Sequence, residues 1–419
     1  MSAADAAALL RVSRATLYAY VSRGFLRSQP MPGATHERGY ARDDVERLRR
    51  RTEERRNPDK AAARALQWGM PILESSITFI DGKRLYYRGH DVAMLARSRS
   101  VEEVASLVWT GRFDAPLSTA LPARTRPART GTGRLGKSGG LPFVGRAQSA
   151  LAAAAAGDAM AFDVRASGAA SCGWRILHLL TAIASGGESG GMAAIDRTLA
   201  RAWGVEARGA DVIRTALILC ADHELNVSSF TARCVASSGS SPYSVVMAGL
   251  AALEGPRHGG SGARVESMFG TLRRTRNLRG AMAARLARGE PIDGFGHPLY
   301  PGGDPRASIL LDLLRERYAK SAELAFVLDF AAAASATLRE RPNVDFALAA
   351  TARVLRLPPG APLTMFAIGR TIGWIGHAIE QYATGQLIRP RAKYVGVVPE
   401  ARLQRLSNRG ARGARRVVF

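Results

Sequence analysis

Residues 291–306 read PIDGFGHPLYPGGDPR, and the organisation of the chain follows from them. These sixteen residues hold four prolines and four glycines, a content that neither a regular helix nor a central strand accommodates. Even so, the stretch sets His297 between Gly296 and Pro298. It then delivers Asp304, Pro305 and Arg306 just ahead of the apolar run ASILLDLL. A stiffened loop with a histidine at its middle and an arginine at its end is a connection between long helices.

Helical patterns do flank it. Apolar positions recur at helical spacing over 145–158, 174–185, 193–204, 209–220, 242–254, 262–287, 306–319, 323–338, 343–354 and 364–384. Strand-like alternation is scarce beyond residue 100, so the main body is expected to be all-α. Residues 74–92, ESSITFIDGKRLYYRGHDV, alternate around Asp81-Gly82 and form a hairpin signal. Residues 121–141, rich in Pro, Gly and basic side chains, are expected to be an exposed loop.

The first 57 residues have a plan of their own. AADAAALL at 3–10 has helical composition. In RVSRATLYAYVSRG, Ser13 stands as N-cap and Gly24 as a C-terminal stop. A Pro/Gly loop containing His36 follows, and RDDVERLRRRTEERR then opens a third helix with Asp43 and Glu46 in capping-box spacing. Helix, tight turn, helix, loop and helix make a helix-turn-helix plan. AAALLRVSRATLYAYVSRGFL and RGYARDDVERL resemble the winged helix-turn-helix of MerR-like and excisionase-like regulators. That resemblance places Ser13, Arg14, Thr16 and Tyr20 on a recognition helix and Arg38 in a wing, so DNA is an expected partner of residues 1–57. The competing reading is a helical docking module that touches no DNA.

Length and composition set bounds. The chain has 419 residues and is 47% hydrophobic, which is globular and points to two or three domains. MSAADAAALLRVSR breaks into charge before an apolar core forms, and no stretch reaches about 18 uninterrupted apolar residues. Neither a secretory signal nor a membrane span is expected, and the location expected is cytoplasmic. Cys172, Cys220 and Cys234 are widely spaced and form no zinc pattern, so they are expected to be reduced and mostly buried. The net charge of +24 favours anionic ligands by steering. However, only five of the 59 basic residues are Lys, a skew that codon composition alone can produce.

The seven histidines fall into two groups. His178 and His377 lie within apolar helices and are expected to pack there, and His36 and His90 receive no catalytic role. His223, His258 and His297 lie in Gly-rich or polar breaks between helices, where function concentrates. His223 sits in CADHELNVSSF beside Asn226. His258 precedes two glycines that open a helix, where the positive end of the dipole favours a neutral ring able to donate a hydrogen bond to an enolate. Asp345, in RPNVDFALAA, is either a first-turn helix residue or a base. Arg370 in the apolar MFAIGRTIGWIG requires a paired anion, and Arg389 precedes a proline in a C-terminal break.

DHELNVSSFTARCVAS, GPRHGGSGARVE, GFGHPLYPGGDPR, NVDFALA, FAIGRTIGWIGHAIEQ and LIRPRAKYVG occur in the order and spacing of the citrate synthase family, which the chain resembles from about residue 72 to 398. The resemblance implies helical large and small domains, with 58–258 and 351–419 in the large and 259–350 in the small one. It also implies a homodimer. Asp345 becomes the base that deprotonates acetyl-CoA, His258 the donor to the enol, and His297 the group polarising the ketone of oxaloacetate. His223, Asn226, Arg306, Arg370 and Arg389 become oxaloacetate/citrate-binding residues, with Arg389 crossing from the partner subunit. Gly294, Phe295 and Gly296 line coenzyme A. Acetyl-CoA is then a cosubstrate, with no permanent cofactor and no metal. The alternatives are 2-methylcitrate synthase, using propionyl-CoA, and a DNA-binding regulator with a synthase-like sensor body.

Overall fold

The computed structural model describes residues 1–30, 38–46, 48–49, 73–115, 141–187, 194–392 and 394–397. His36 and nearly all of the 121–141 stretch lie outside the described residues. The chain divides into two units, Met1–Glu74 and Ser75–Phe419.

In the first unit the helix ends are set locally. Ser2 and Asp5 form a reciprocal capping box on Ala3–Leu10. Ser13 accepts the Thr16 N–H at the start of Arg14–Ser22, and Gly24, at φ +74°, turns the chain out of that helix. Ser28–Pro30 and Arg38–Tyr40 pair antiparallel, with Ser28 opposite Tyr40. Ala6, Leu10, Leu17, Leu26, Tyr40 and Val45 make a small core. The capping box expected from Asp43 and Glu46 does not form. Residues 42–46 are already helical, the Val45 N–H bonds the Ala41 carbonyl, and Glu46 pairs with Arg42 at 3.0 Å instead. Asp44 is drawn inward to Arg27 Nε at 2.8 Å.

The second unit opens on the expected hairpin. Thr78–Ile80 and Leu85–Tyr87 pair antiparallel, His90–Asp91 adds a short third strand, and Asp81 Oδ1 accepts the Lys83 and Arg84 N–H groups in the turn. The rest of the described part is helical, around one hydrophobic core. Its axis is the 24-residue helix Ala361–Thr384, buried along most of its length. A Cβ on Gly373 would lie 2.5 Å from the Ala221 carbonyl. Its absence lets the helix touch the 217–223 segment directly, where the Gly373 N–H donates to Ala221 O at 2.9 Å.

Two differences from the sequence expectation have local causes. The single helix expected over 262–287 is two, Ser261–Leu272 and Leu278–Ala287, because the Asn277 side chain captures the Gly280 N–H and starts a new helix. The serine-rich Val227–Ser237, for which no helix was expected, is one. It is capped by Asn226 and stabilised by packing against Pro242–Leu253 and Ala361–Thr384. Cys172 and Cys220 are buried, Cys234 is half-buried, and all three are free thiols. Among the described residues no helix is long and apolar enough to cross a membrane.

Candidate active site

The stretch at 291–306 is laced to the chain just before Asp345. The Gly296 N–H donates to Arg341 O at 2.9 Å, the Asn343 N–H to Gly294 O at 2.9 Å, and Asn343 Nδ2 to Gly296 O at 3.1 Å. Gly294 and Gly296 adopt φ of +89° and +71°, which side chains disfavour. A Cβ at Gly296 would also meet Glu340 Oε2 at 2.5 Å. The Phe295 ring packs 5.1 Å from that of Phe346. Asn343 also caps the Val344–Leu355 helix through the Asp345 N–H at 3.1 Å. One asparagine thus fixes the position of both the His297 loop and Asp345.

His297 is held in one tautomer. The Leu299 N–H donates to its Nδ1 at 3.2 Å, which leaves the ring proton on Nε2. Burial, then the charge of Arg306, lowers its pKa to about 4, so the ring is neutral near pH 7. Arg306 is itself buried and forked onto Asp304, Nε to Oδ1 at 3.0 Å and Nη2 to Oδ2 at 2.8 Å. Burial opposes its charge, but Asp304 outweighs that and raises its pKa. Asp304 also caps Pro305–Tyr318 and accepts the Val344 N–H at 3.0 Å, a second tie to the Asp345 helix.

His223 faces the same loop. Its Nε2 lies 2.9 Å from Tyr300 Oη, and its ring is 5.0 Å from that of His297. Burial, then Arg306 and Arg370, holds its pKa well below the usual value. The preceding Asp222 is wholly buried. It accepts from Thr78 Oγ1 and lies 3.2 Å from His377 Nε2. His377 is therefore more than a packing residue: it docks the 217–223 segment on the long helix. Four residues after Asp222, Asn226 caps Val227–Ser237. Ser228 Oγ lies 2.9 Å from both Asn226 Oδ1 and His258 Nε2. Burial and Arg370 lower the His258 pKa to about 4. The neutrality expected from a helix dipole therefore has burial as its main cause.

Arg370 completes the ring of contacts. It is 1% exposed, and Nε donates to Cys220 O at 2.8 Å. Nη1 and Nη2 have no partner. The Phe366 ring carries the guanidinium 4.7 Å from its centroid and the His258 ring at 5.9 Å. Ser261 favours the ionised form of half-buried Asp345, but burial raises its pKa to about 6 against this and the stronger pull of Arg306. A base with a pKa near 6, three neutral imidazoles and an unpaired buried guanidinium suit proton abstraction beside a carbonyl in the presence of a carboxylate. Among the described residues no group of His, Cys, Asp and Glu could hold a metal ion.

Contacts thus link His223, His258, His297, Arg306, Asp345 and Arg370, with Asn226 and the Gly294–Gly296 turn as supports. Arg389 lies elsewhere, exposed on the segment after Ala361–Thr384. Tyr300, Ser228 and the Asp304–Arg306 fork had not been singled out from sequence. Only the fork, two residues apart, carried a local signal. In the first unit, Ser13 is spent on its cap and bonds Thr16 Oγ1 at 2.9 Å. Arg14 is exposed, Tyr20 packs on Phe25, and Arg38 bonds Ser28.

A family model described as the citrate synthase C-terminal domain matches residues 64–129 and 164–391, well over half of the chain. The chain belongs to the citrate synthase family. Citrate synthase of Haloferax volcanii is 32% identical over 364 residues, covering 78% of this chain and 94% of that one. Citrate synthase 2 of Bacillus subtilis is 37% identical over 191 residues, 44% of this chain and 51% of its own. The chain therefore spans about half the length of the first curated relatives it matches. The crystal structure of citrate synthase from Thermotoga maritima superposes with a TM-score of 0.66 at 27% identity, covering 80% of this chain and 97% of that one. The family match begins at residue 64, so most of the Met1–Glu74 unit lies outside it.

Proposed function

We propose that the protein is a citrate synthase, condensing acetyl-CoA with oxaloacetate and water to give citrate and coenzyme A. The observation that carries this reading is Asp345, with its pKa raised to about 6, set among neutral His258 and His297 and the unpaired Arg370. Asp345 takes a methyl proton from the thioester. The C–H electrons form the enolate, whose oxygen accepts a hydrogen bond from His258. The enolate carbon attacks the ketone of oxaloacetate, His297 Nε2–H donates a hydrogen bond to the resulting alkoxide, and the proton taken up by Asp345 is passed on to that oxygen, leaving both residues as they began. Water then cleaves the thioester of the adduct and releases coenzyme A.

Oxaloacetate carries two carboxylates. Arg370 presents a free fork for one of them. The Nε and Nη2 edge of Arg306 is committed to Asp304, so Arg306 contributes charge and the remaining nitrogen. The Gly294–Gly296 turn is the assigned coenzyme A contact, and the 259–350 segment is the small domain that closes over the cleft. A cytoplasmic homodimer fits an exposed Arg389 and the uncovered apolar residues Leu387, Tyr394, Val395 and Val397. The free thiols fit a reducing compartment.

The test is thiol release from acetyl-CoA and propionyl-CoA, with and without oxaloacetate. Oxaloacetate-dependent release that is faster with acetyl-CoA is expected. Preference for propionyl-CoA would make the enzyme a 2-methylcitrate synthase, and no release from either donor would overturn the reading.

Residues 1–57 are assigned a DNA-binding role, supported by exposed Arg14, Arg23 and Arg38 and by Tyr18, which is 53% exposed. Binding of the full chain to promoter DNA, read by fluorescence anisotropy, should fall steeply with salt and weaken about tenfold in Arg14→Ala. Equal binding by the variant would assign the affinity to bulk charge.

A further inference from the structure

One residue between the two catalytic loops is used by none of the steps above. Arg264 sits in the first turn of Ser261–Leu272 and reaches two loops at once. Its Nε donates to Asp293 Oδ1 at 2.8 Å, and Nη2 lies 2.7 Å from the same oxygen. Its Nη1 donates to the Pro256 carbonyl at 2.8 Å. Asp293 immediately precedes the Gly294–Gly296 turn that carries His297, and Pro256 stands two residues before His258. The planar guanidinium spans both, as a lysine ammonium on a flexible stem cannot.

As a surface ion pair alone, this contact would contribute little. Its position gives it a different use. The Asp293 side chain is only 14% exposed, and the third donor is spent on a backbone carbonyl, so the bonds fix chain geometry more than they add stability. The Pro256 loop otherwise closes mainly on itself, through His258 N–H to Gly255 O at 2.9 Å and Gly259 N–H to Leu253 O at 3.0 Å. The His297 loop is tied instead to 341–343.

We propose that Arg264 and Asp293 form a clasp that sets the separation of the His258 and His297 loops, making Arg264 a positioning residue for the condensation. The catalytic part of this inference rests on the function proposed above. The clasp itself rests on the contacts alone. The donor to the enol and the donor to the ketone act on atoms that must come within bonding distance, and a misplacement of about 1 Å costs on the order of a hundredfold in rate. Arg264 has a second signature. The groups acting on Asp345 are Arg306, Asp304, Ser261 and Arg264, and Arg264 favours the ionised carboxylate.

The test uses the full chain and the variants Arg264→Ala, Arg264→Lys and Asp293→Asn. Amide hydrogen exchange is followed over 255–260 and 293–300, and kcat/KM for thiol release is followed from pH 4.5 to 8. In Arg264→Ala, faster exchange is expected in both loops, with kcat about tenfold lower. The acidic limb should rise by roughly half a pH unit, because a cation beside the base is gone. Asp293→Asn should loosen both loops and lower kcat without raising that limb. Arg264→Lys should restore the limb but not the exchange protection. Unchanged exchange in either loop, or unchanged kcat in both Arg264→Ala and Asp293→Asn, would overturn the proposal. If the wild type releases no thiol, the condensation reading falls, and the exchange data still judge the clasp.

Discussion

Asp345→Asn is expected to lower kcat roughly a thousandfold while raising the melting temperature by a few degrees. The loss follows from removing a general base, whose contribution is commonly about a hundredfold to ten-thousandfold. The gain in stability follows from linkage. The folded pKa of about 6 lies above the reference of 3.8, so folding raises the proton affinity of this carboxyl. The ionised form is therefore disfavoured by folding. Its cost is full above pH 6 and shrinks as pH falls from about 6 to 3.8, where both states become protonated. With allowance for partial solvent access, the cost at pH 7 is about 1–3 kcal/mol. Calorimetry from pH 4 to 8 should show the variant melting higher at neutral pH, with the gap closing toward pH 4. Equal melting at pH 7, or retained thiol release, would remove Asp345 from the role of base. In the wild type kcat/KM should fall as pH drops through about 6, with no further limb from His258 or His297 above about pH 4.

Arg370→Leu should raise the KM for oxaloacetate roughly a hundredfold, since two charge-assisted hydrogen bonds to a carboxylate are lost. The free protein should not lose stability, because a buried guanidinium with two open nitrogens gives way to an apolar side chain. Ligand-induced stabilisation separates the two effects. Saturating oxaloacetate, at about a hundred times its Kd, should stabilise the wild type by about 2.7 kcal/mol and the variant hardly at all. Arg370→Lys should fall between them, keeping the charge without the fork. If oxaloacetate stabilised the leucine variant as well as the wild type, the carboxylate would have to sit elsewhere.

Both trade-offs have the same origin. A site with the proposed task, deprotonating a thioester and holding an oxaloacetate carboxylate, keeps a carboxylate and a guanidinium in a place that suits neither when empty. Such a site is less stable than its inert variants.

Much of this was legible along the chain. Gly294, Gly296, Pro298 and Pro301 mark a stiff loop, because glycine and proline act on the backbone wherever they stand. The helical runs were legible from apolar spacing, except where side chains overruled it, as at Asn277, or where packing stabilised a polar segment, as at Val227–Ser237. His223, His258, His297 and Asp345 stood out as reactive groups placed in breaks between helices, and six motifs in family order suggested the roles proposed for them. Their protonation states were another matter. Asp345 could equally have been a first-turn residue with an ordinary pKa, and burial, helped by the charge of Asp304, raises it to about 6.

The division between the two arginines shows why. The sequence assigned a carboxylate to Arg306 as readily as to Arg370. In the fold, Arg306 is committed to Asp304, while Arg370 spends one nitrogen on a carbonyl 150 residues away and keeps two open. Tyr300 reaches His223 across 77 residues, and Arg264 reaches Asp293 across 29. Composition, caps, turns and motif order are local properties of the chain, and the sequence was enough to establish them. Charge state, tautomer and the partner of each polar group depend on what is packed around it and on how much water remains. Those were settled by the fold, mostly where distant segments met.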